Sequence, residues 1–336
     1  MILPLFAPLF WGTVAMLLVV PVSIRVARHF RLIDEPNSAP HKIHTRPVPQ
    51  AGGIGLVFVV LLLALLSGKF GAESVRGILL ASLIVFLFGL WDDARGLSAG
   101  WKLLGQLLAT LVLIWQGVYI QMLGTQPLYA ALNIALTFLW TVGITNAFNL
   151  VDSMDGLAVG LAAIAAAFFM LVTIAARQTH LAYLSAILLG CTIGMSFYNI
   201  MPARAFLGDS GAQFLGFVLA ALAIAYTPRG LPQPSSWFVP ILLLSVPIFD
   251  TTLVVISRMG RGRSFYKAGQ DHTYHRLVQL GTPPGHAVAA MHIAAILTGC
   301  LAFMALPLPP LWANLVFAAA LLAGLAALFL LIRRTA

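Results

Sequence analysis

The chain of 336 residues is 60% hydrophobic and only 9% charged, whereas about a quarter of the residues of a soluble domain are charged. That excludes a soluble globular enzyme and describes a polytopic membrane protein. The net charge of +9 belongs to short loops between apolar runs, and no nucleic acid is expected as a partner.

The N-terminal run has no basic residue before Arg25, so it reads as a retained span and not as a cleaved signal peptide. Apolar runs able to cross a bilayer follow near 4–24, 51–67, 76–91, 101–120, 128–148, 157–176, 182–198, 211–227, 237–257, 287–306 and 312–332. The expected fold is all-α, with about eleven transmembrane helices in a single domain over 1–336 and no clear internal repeat. Runs interrupted by Gly or Pro are expected to bend or break. Cys191 and Cys300 lie in apolar runs without a second Cys or His at ligand spacing, and read as inert thiols.

Lys and Arg are retained on the cytoplasmic side of short loops. With the N-terminus outside and the C-terminus inside, only Lys69, Arg76, Arg177 and Arg229 of the 19 basic residues fall outside. The acids add a second asymmetry. Asp34, Glu35, Asp92, Asp93, Asp152, Asp155, Asp209 and Asp271 all fall on the inner side, Asp250 lies within the ninth span, and only Glu73 falls outside. Acidic residues contribute little to orientation, so this gathering indicates one cytoplasm-facing acidic centre ringed by basic loops. A divalent metal and a polyanionic substrate would together require that arrangement.

The inner loops, near 27–50, 92–100, 149–156, 199–210 and 258–286, carry the candidate site. In the first, Lys42 and Arg46 can hold phosphate oxygens, and Pro47, Pro49 and Gly52-Gly53 shape the approach to the second span. At the end of the third span, Asp92-Asp93 is a pair of like charges pointing about 100° apart on a helix, and asks for a cation. One carboxylate suits Mg²⁺, the other a proton from a phosphate nucleophile. Asn146-Ala-Phe-Asn149-Leu-Val-Asp152-Ser-Met-Asp155-Gly156 wraps about half a helical cylinder and so fits a helix end or broken turn better than one stripe. In Phe197–Gly211, Gly208 and Gly211 bracket Asp209, Asn199 offers both a donor and an acceptor to a base edge, and Phe206 offers a stacking face. The last loop holds Asp271-His272-Thr-Tyr-His275-Arg276. His272 and His275 are three apart and can share a helix face as phosphate donors, acid/base groups or ligands. They do not match H-E-x-x-H, so zinc is not expected. His286 and His292 read as structural.

In order, the Pro/Gly loop, the Asp pair, Asn146–Gly156, Phe197–Gly211 and the His-Arg-Leu loop resemble the polyprenyl-phosphate N-acetylhexosamine-1-phosphate transferases, over most of the chain from about 34 to 280. The resemblance implies transfer of a sugar 1-phosphate from a UDP-sugar to undecaprenyl phosphate or a similar lipid, with Mg²⁺ (or Mn²⁺) and release of UMP. It implies a multi-pass protein of the bacterial cytoplasmic membrane, in contact with the bilayer and able to form a homodimer. The branch acting on GlcNAc is more similar than the phospho-MurNAc-pentapeptide transferases. By position, Asp209 falls on the metal ligand, and Asp92 and Asp93 on the aspartate pair tied to metal and lipid phosphate, with Asp93 taken as the second ligand. Asn149, Asp152 and Asp155 fall beside the nucleotide, Asn199 and Phe206 on the uridine pocket, and His272 and His275 on the histidine loop. Beside these, Lys42, Arg46 and Arg276 are the basic residues expected at substrate phosphates, the alternative for Lys42 and Arg46 being the positive-inside bias alone. Tyr274 stands where the family often has a third histidine, and Gly96 where the phospho-MurNAc relative has a lysine. A CDP-alcohol phosphatidyltransferase fails because Val159-Gly160 replaces the Ala-Arg of its motif. A transporter or flippase would more often show repeat-related broken spans.

Overall fold

A computed structural model describes residues 3–36, 46–123, 126–228, 238–262, 269 and 271–334. The helices are α1 (Leu3–His29), α2 (Gly52–Leu66), α3 (Glu73–Arg95), α4 (Ala99–Trp115), α5 (Pro127–Val151), α6 (Leu157–Ala175) and α7 (Thr179–Asn199), followed by α8 (Gly208–Ala225), α9 (Phe238–Leu243), α10 (Ser245–Gly260), α11 (Thr273–Gln279), α12 (Pro284–Ala305) and α13 (Pro310–Arg334). Each of the eleven apolar runs falls on this helical framework. Eight helices are long and apolar enough to cross a membrane, while α2 and α4 are shorter apolar helices. The ninth run is broken at Leu244 into α9 and α10. Pro240 and Pro247 flank the break, and each lacks an N–H for a helical ladder. The fold is thus an all-α polytopic membrane protein, with one addition that the sequence did not announce. Strands β1 (Ile33–Asp34) and β2 (Val48–Pro49) pair antiparallel in the first loop, Ile33 facing Pro49 and Asp34 facing Val48.

Helix α8 is the axis of the bundle. From Ser210 to Ala223 every residue is buried, as expected of a helix that is apolar on all sides, and α2, α3, α5 and α6 pack around it. Small residues set the spacing where its first turn meets α2 and α3. A Cβ on Gly89 would lie 2.5 Å from the Ser210 Cα, and one on Gly53 would collide with Ser210 and Gly211. Without water to drive burial, such close backbone packing is a main source of helix association in lipid. On the far side α1 and α7 meet in the same way at Gly190, where Thr13 donates its hydroxyl to the Gly190 carbonyl at 3.1 Å.

The α1–α2, α3–α4, α5–α6 and α7–α8 connections meet at one end of the bundle. The β2 loop is sewn to the segment leading into α8: Phe206 N–H donates to the Pro49 carbonyl at 3.0 Å, and Ala51 and Gly52 donate back to the Phe206 carbonyl at 3.1 and 2.9 Å. α5 continues through Asn146 and Asn149 to Val151 and then breaks, with Gly156 at φ 77° opening α6. The helix end expected for Asn146–Gly156 is therefore a five-residue turn that begins at Asp152.

Candidate active site

Three helix ends make the first corner of the site. Asp92 and Asp93 close α3, Lys102 lies in the first turns of α4, and Asp209 opens α8. The Lys102 ammonium is paired with both Asp92 and Asp209. Asp92 gives its other oxygen to the Leu97 N–H. Asp93 turns to α8, where its carboxylate accepts from Asp209 N–H at 2.7 Å, Ser210 N–H at 3.1 Å and the Ser210 hydroxyl at 2.6 Å. Those amides are among the unsatisfied donors of a helix start, at its positive end. Asp93 therefore caps α8 from another helix. Gly208, at φ 72°, leaves the space this requires, since a Cβ there would lie 2.6 Å from the Asp93 Oδ2.

Beneath this corner α4 carries Lys102, Gln106 and Thr110 four residues apart, a polar stripe on an apolar helix. Gln106 donates to Asn146 Oδ1 at 3.3 Å and to Gln213 Oε1 at 3.1 Å, and receives from Asn146 Nδ2 at 2.8 Å. Thr110 and Thr141 share a 2.8 Å hydrogen bond one turn deeper. This network floors the site, and the repeat of polar residues along α4 was the signal for it. By sequence Lys102 is one more basic residue at the inner end of a span, and Gln106 and Gln213 are isolated amides within apolar runs.

The second wall is the turn after α5. Burial, and then the charges of Asp209, Asp93, Asp155 and Asp34, push the Asp152 carboxyl well above the usual carboxylate range. Acids expected from four of the five inner loops thus share one field. Asp155 accepts the Ala203 N–H at 2.9 Å. Asn199, expected at a base edge, is buried and spends both ends inside the fold: Oδ1 takes Gly156 N–H at 3.1 Å and Nδ2 gives to the Ala205 carbonyl at 3.0 Å. Its role in the structure is to hold the 152–156 turn against the 200–207 loop. Phe206, within that loop, is half-buried, and Arg46 is exposed. Lys42 and residues 263–268 lie outside the described residues. Asn149 Oδ1 is buried without a hydrogen-bond partner among the described residues, which leaves an acceptor open on this wall.

Helix α11 brings the third wall. Tyr274 is buried, its hydroxyl 2.9 Å from His275 Nε2 and 3.5 Å from the Ser153 carbonyl. The His loop thereby rests on the residue after Asp152. Burial, with the nearby Asp250 charge, raises the phenol further above its ordinary value, so it stays protonated. Arg276, expected on substrate phosphate, is buried and bonds to Ser257, to the Asp271 carbonyl at 3.2 Å and to the Leu331 carbonyl at 3.2 Å. It ties α10, α11 and the end of α13 together. Between α5 and α10 an apolar cavity of about 1150 Å³, lined in part by Trp140, Gly143, Ala147 and Ile248, runs from one turn below Asn149 to Tyr226 near the opposite end of α8.

Residues 75–227 match Glycosyl transferase family 4. A Bacillus subtilis protein named "Probable undecaprenyl-phosphate N-acetylglucosaminyl 1-phosphate transferase" is 30% identical over 285 residues, covering 82% of this chain and 78% of the relative. A Mycobacterium tuberculosis decaprenyl-phosphate N-acetylglucosaminephosphotransferase is 32% identical over 329 residues, covering 87% and 81%. A phospho-N-acetylmuramoyl-pentapeptide-transferase of Levilactobacillus brevis is 31% identical over 246 residues, covering 65% and 74%.

Proposed function

Because the chain belongs to glycosyl transferase family 4, we propose that it transfers GlcNAc 1-phosphate from UDP-GlcNAc to undecaprenyl phosphate or a similar polyprenyl phosphate, releasing UMP. The observation that carries this reading is the meeting of Asp92 and Asp209, from two helices, on Lys102, in the field of Asp152. In this proposal the site faces the cytoplasm of a bacterial inner membrane, in keeping with the basic loops at that end and about eleven crossings.

The surplus of carboxylates over cations at this corner fits a hard divalent cation. Among the described residues no three His, Cys, Asp or Glu side chains form a ready cage, and Mg²⁺ needs none, since it is usually held by one or two carboxylates together with substrate phosphates and water. Bound there, Mg²⁺ would neutralise charge on the diphosphate. Asp209 and Asp92 are the ligands we assign. Asp93, the second ligand by resemblance, is spent on α8, and in this reading it fixes the position of Asp209.

The lipid phosphate oxygen attacks the β-phosphorus of the UDP-sugar in line. The bond to the bridging oxygen breaks and its electron pair leaves with UMP. The lipid phosphate enters as its dianion, so Asp92 is left as a ligand and no proton has to be taken up. Lys102 moves from carboxylates to phosphate oxygens as the substrates enter, and His272 and His275 donate to the equatorial oxygens, where charge gathers in the transition state. Asn149 and Asp152 receive the nucleotide side, and the cavity between α5 and α10 takes the prenyl chain.

The test is transfer by purified protein supplied with Mg²⁺, undecaprenyl phosphate and labelled UDP-GlcNAc, with UDP-MurNAc-pentapeptide as a second donor. Lipid-linked GlcNAc phosphate and UMP are expected, with UMP driving the reverse reaction. Transfer from UDP-MurNAc-pentapeptide alone would move the chain to the branch of the Levilactobacillus relative. No transfer from any UDP-sugar would remove the reading.

A further inference from the structure

We infer that Asp250, a buried carboxylate to which the proposed reaction gives no part, is a positioning residue that holds the His272 imidazole in one tautomer and aims its other nitrogen at the site. This rests on the reading above in one respect, that His272 meets substrate phosphate.

Asp250 lies in the second turn of α10 and is fully buried. A carboxylate at such a place in an apolar helix is costly, and is kept only with partners that use it. Its partners are both at the start of α11. Oδ2 lies 2.8 Å from His272 Nδ1, and Oδ1 accepts the Thr273 N–H at 2.6 Å. A carboxylate so placed only accepts, so Nδ1 carries the hydrogen and the ring is fixed at its far pole. Nε2 has no hydrogen-bond partner among the described residues.

The surroundings hold the ring from its other side. The rings of His272 and Tyr274 lie nearly parallel, 5.9 Å apart at 13°, and the His275 ring is 5.6 Å from that of His272. Tyr274 leans on Ser153 next to Asp152. Had Asp250 only to cap α11, the Thr273 amide would satisfy it. Its second oxygen goes to a ring nitrogen, and in this arrangement an outer carboxylate orients a histidine. Whenever Nε2 also carries a hydrogen, it is aimed to donate to a phosphate oxygen.

Two measurements test this. In protein labelled with ¹⁵N-histidine, with the His272 signal identified by its loss in His272→Gln, Nδ1 is expected to be protonated. A spectrum in which Nδ1 is the bare nitrogen overturns the proposal, with no Asp250 variant required. In kinetics, Asp250→Asn is expected to lower kcat by about 10- to 100-fold with KM for both substrates within about threefold, since removing such outer partners costs about that much. Asp250→Glu should recover part of the loss. In a His272→Gln background, Asp250→Asn should cost less than about twofold more, because the two residues act as one unit. Additive losses, or a wild-type kcat in the folded fraction of Asp250→Asn, overturn it. If the wild-type protein transfers nothing, the proposed function fails while the spectrum still decides the hold of Asp250 on His272.

Discussion

The corner formed by α3, α4 and α8 and the corner formed by α10 and α11 both bury charge, and they balance it differently. In the second, each acid has a basic partner: Asp250 meets His272 at 2.8 Å, and Asp271 meets Arg258 at 3.0 Å and Arg261 at 3.3 Å. In the first, Asp92 and Asp209 divide one ammonium, Asp93 is turned to backbone amides, and Asp152 stands in the field of its neighbours. A balanced corner is a finished piece of structure that can aim a side chain. An unbalanced one is complete only when a cation arrives, and we read the site as the meeting of the two.

The largest expected effect comes from the unbalanced side. Asp209→Asn should lower kcat on the order of 10³-fold, as loss of a ligand to a charge-neutralising metal would, while the melting temperature holds or rises, because one repelling carboxylate is gone. A clear loss of stability would show that Asp209 is a structural partner of Lys102 and would erase the contrast. Asp93→Ala should do the reverse in proportion. Removing the acceptor from the start of α8 costs about 0.5 to 2 kcal/mol as a cap, and kcat should fall by only about 10- to 100-fold as Asp209 shifts.

Asp152 gives the pH test. Its carboxyl is raised in the folded protein, so the stability it contributes is fully present below the ordinary carboxylate range and is lost as pH rises through the raised value. Melting temperature without Mg²⁺ should therefore fall with rising pH above that range. Asp152→Asn should flatten the slope, and so should added Mg²⁺. An unchanged slope in Asp152→Asn would assign the pH response to another group.

What was legible in the sequence was what lipid makes obligatory. Apolar runs must become helices because backbone groups find no water there, so all eleven fell on helices, and the acids from distant loops converge as their one-sidedness indicated. What was not legible depended on which way a side chain turns. Asp92 and Asp93 are neighbours, yet one faces Lys102 and the other α8. Asn199 and Arg276 carry the right groups for a substrate and spend them on the fold. Lys102 was hidden because a basic residue at a span end has an ordinary explanation, and the Gln106 and Thr110 that follow it at helical spacing were the clue. Asp250 was visible as a lone acid in a span, but its partner lies 22 residues away, across a turn that no periodicity marks.

The smallest effect expected is at Tyr274, which belongs to the balanced corner yet touches the other. Its hydroxyl joins His275 to the Ser153 carbonyl through one good contact and one long one, so Tyr274→Phe should cost about 0.5 to 1.5 kcal/mol of stability and change kcat by only a few fold, because the ring that stacks on His272 remains. Tyr274→His is the sharper variant. It places a histidine where the resemblance implies a third one but removes the reach to Ser153, so the two walls should loosen. If transfer nevertheless rises, the third position of the loop is a phosphate donor that this chain lacks. If it falls below that of Tyr274→Phe, the phenol is here a strut between the balanced corner and the unbalanced one.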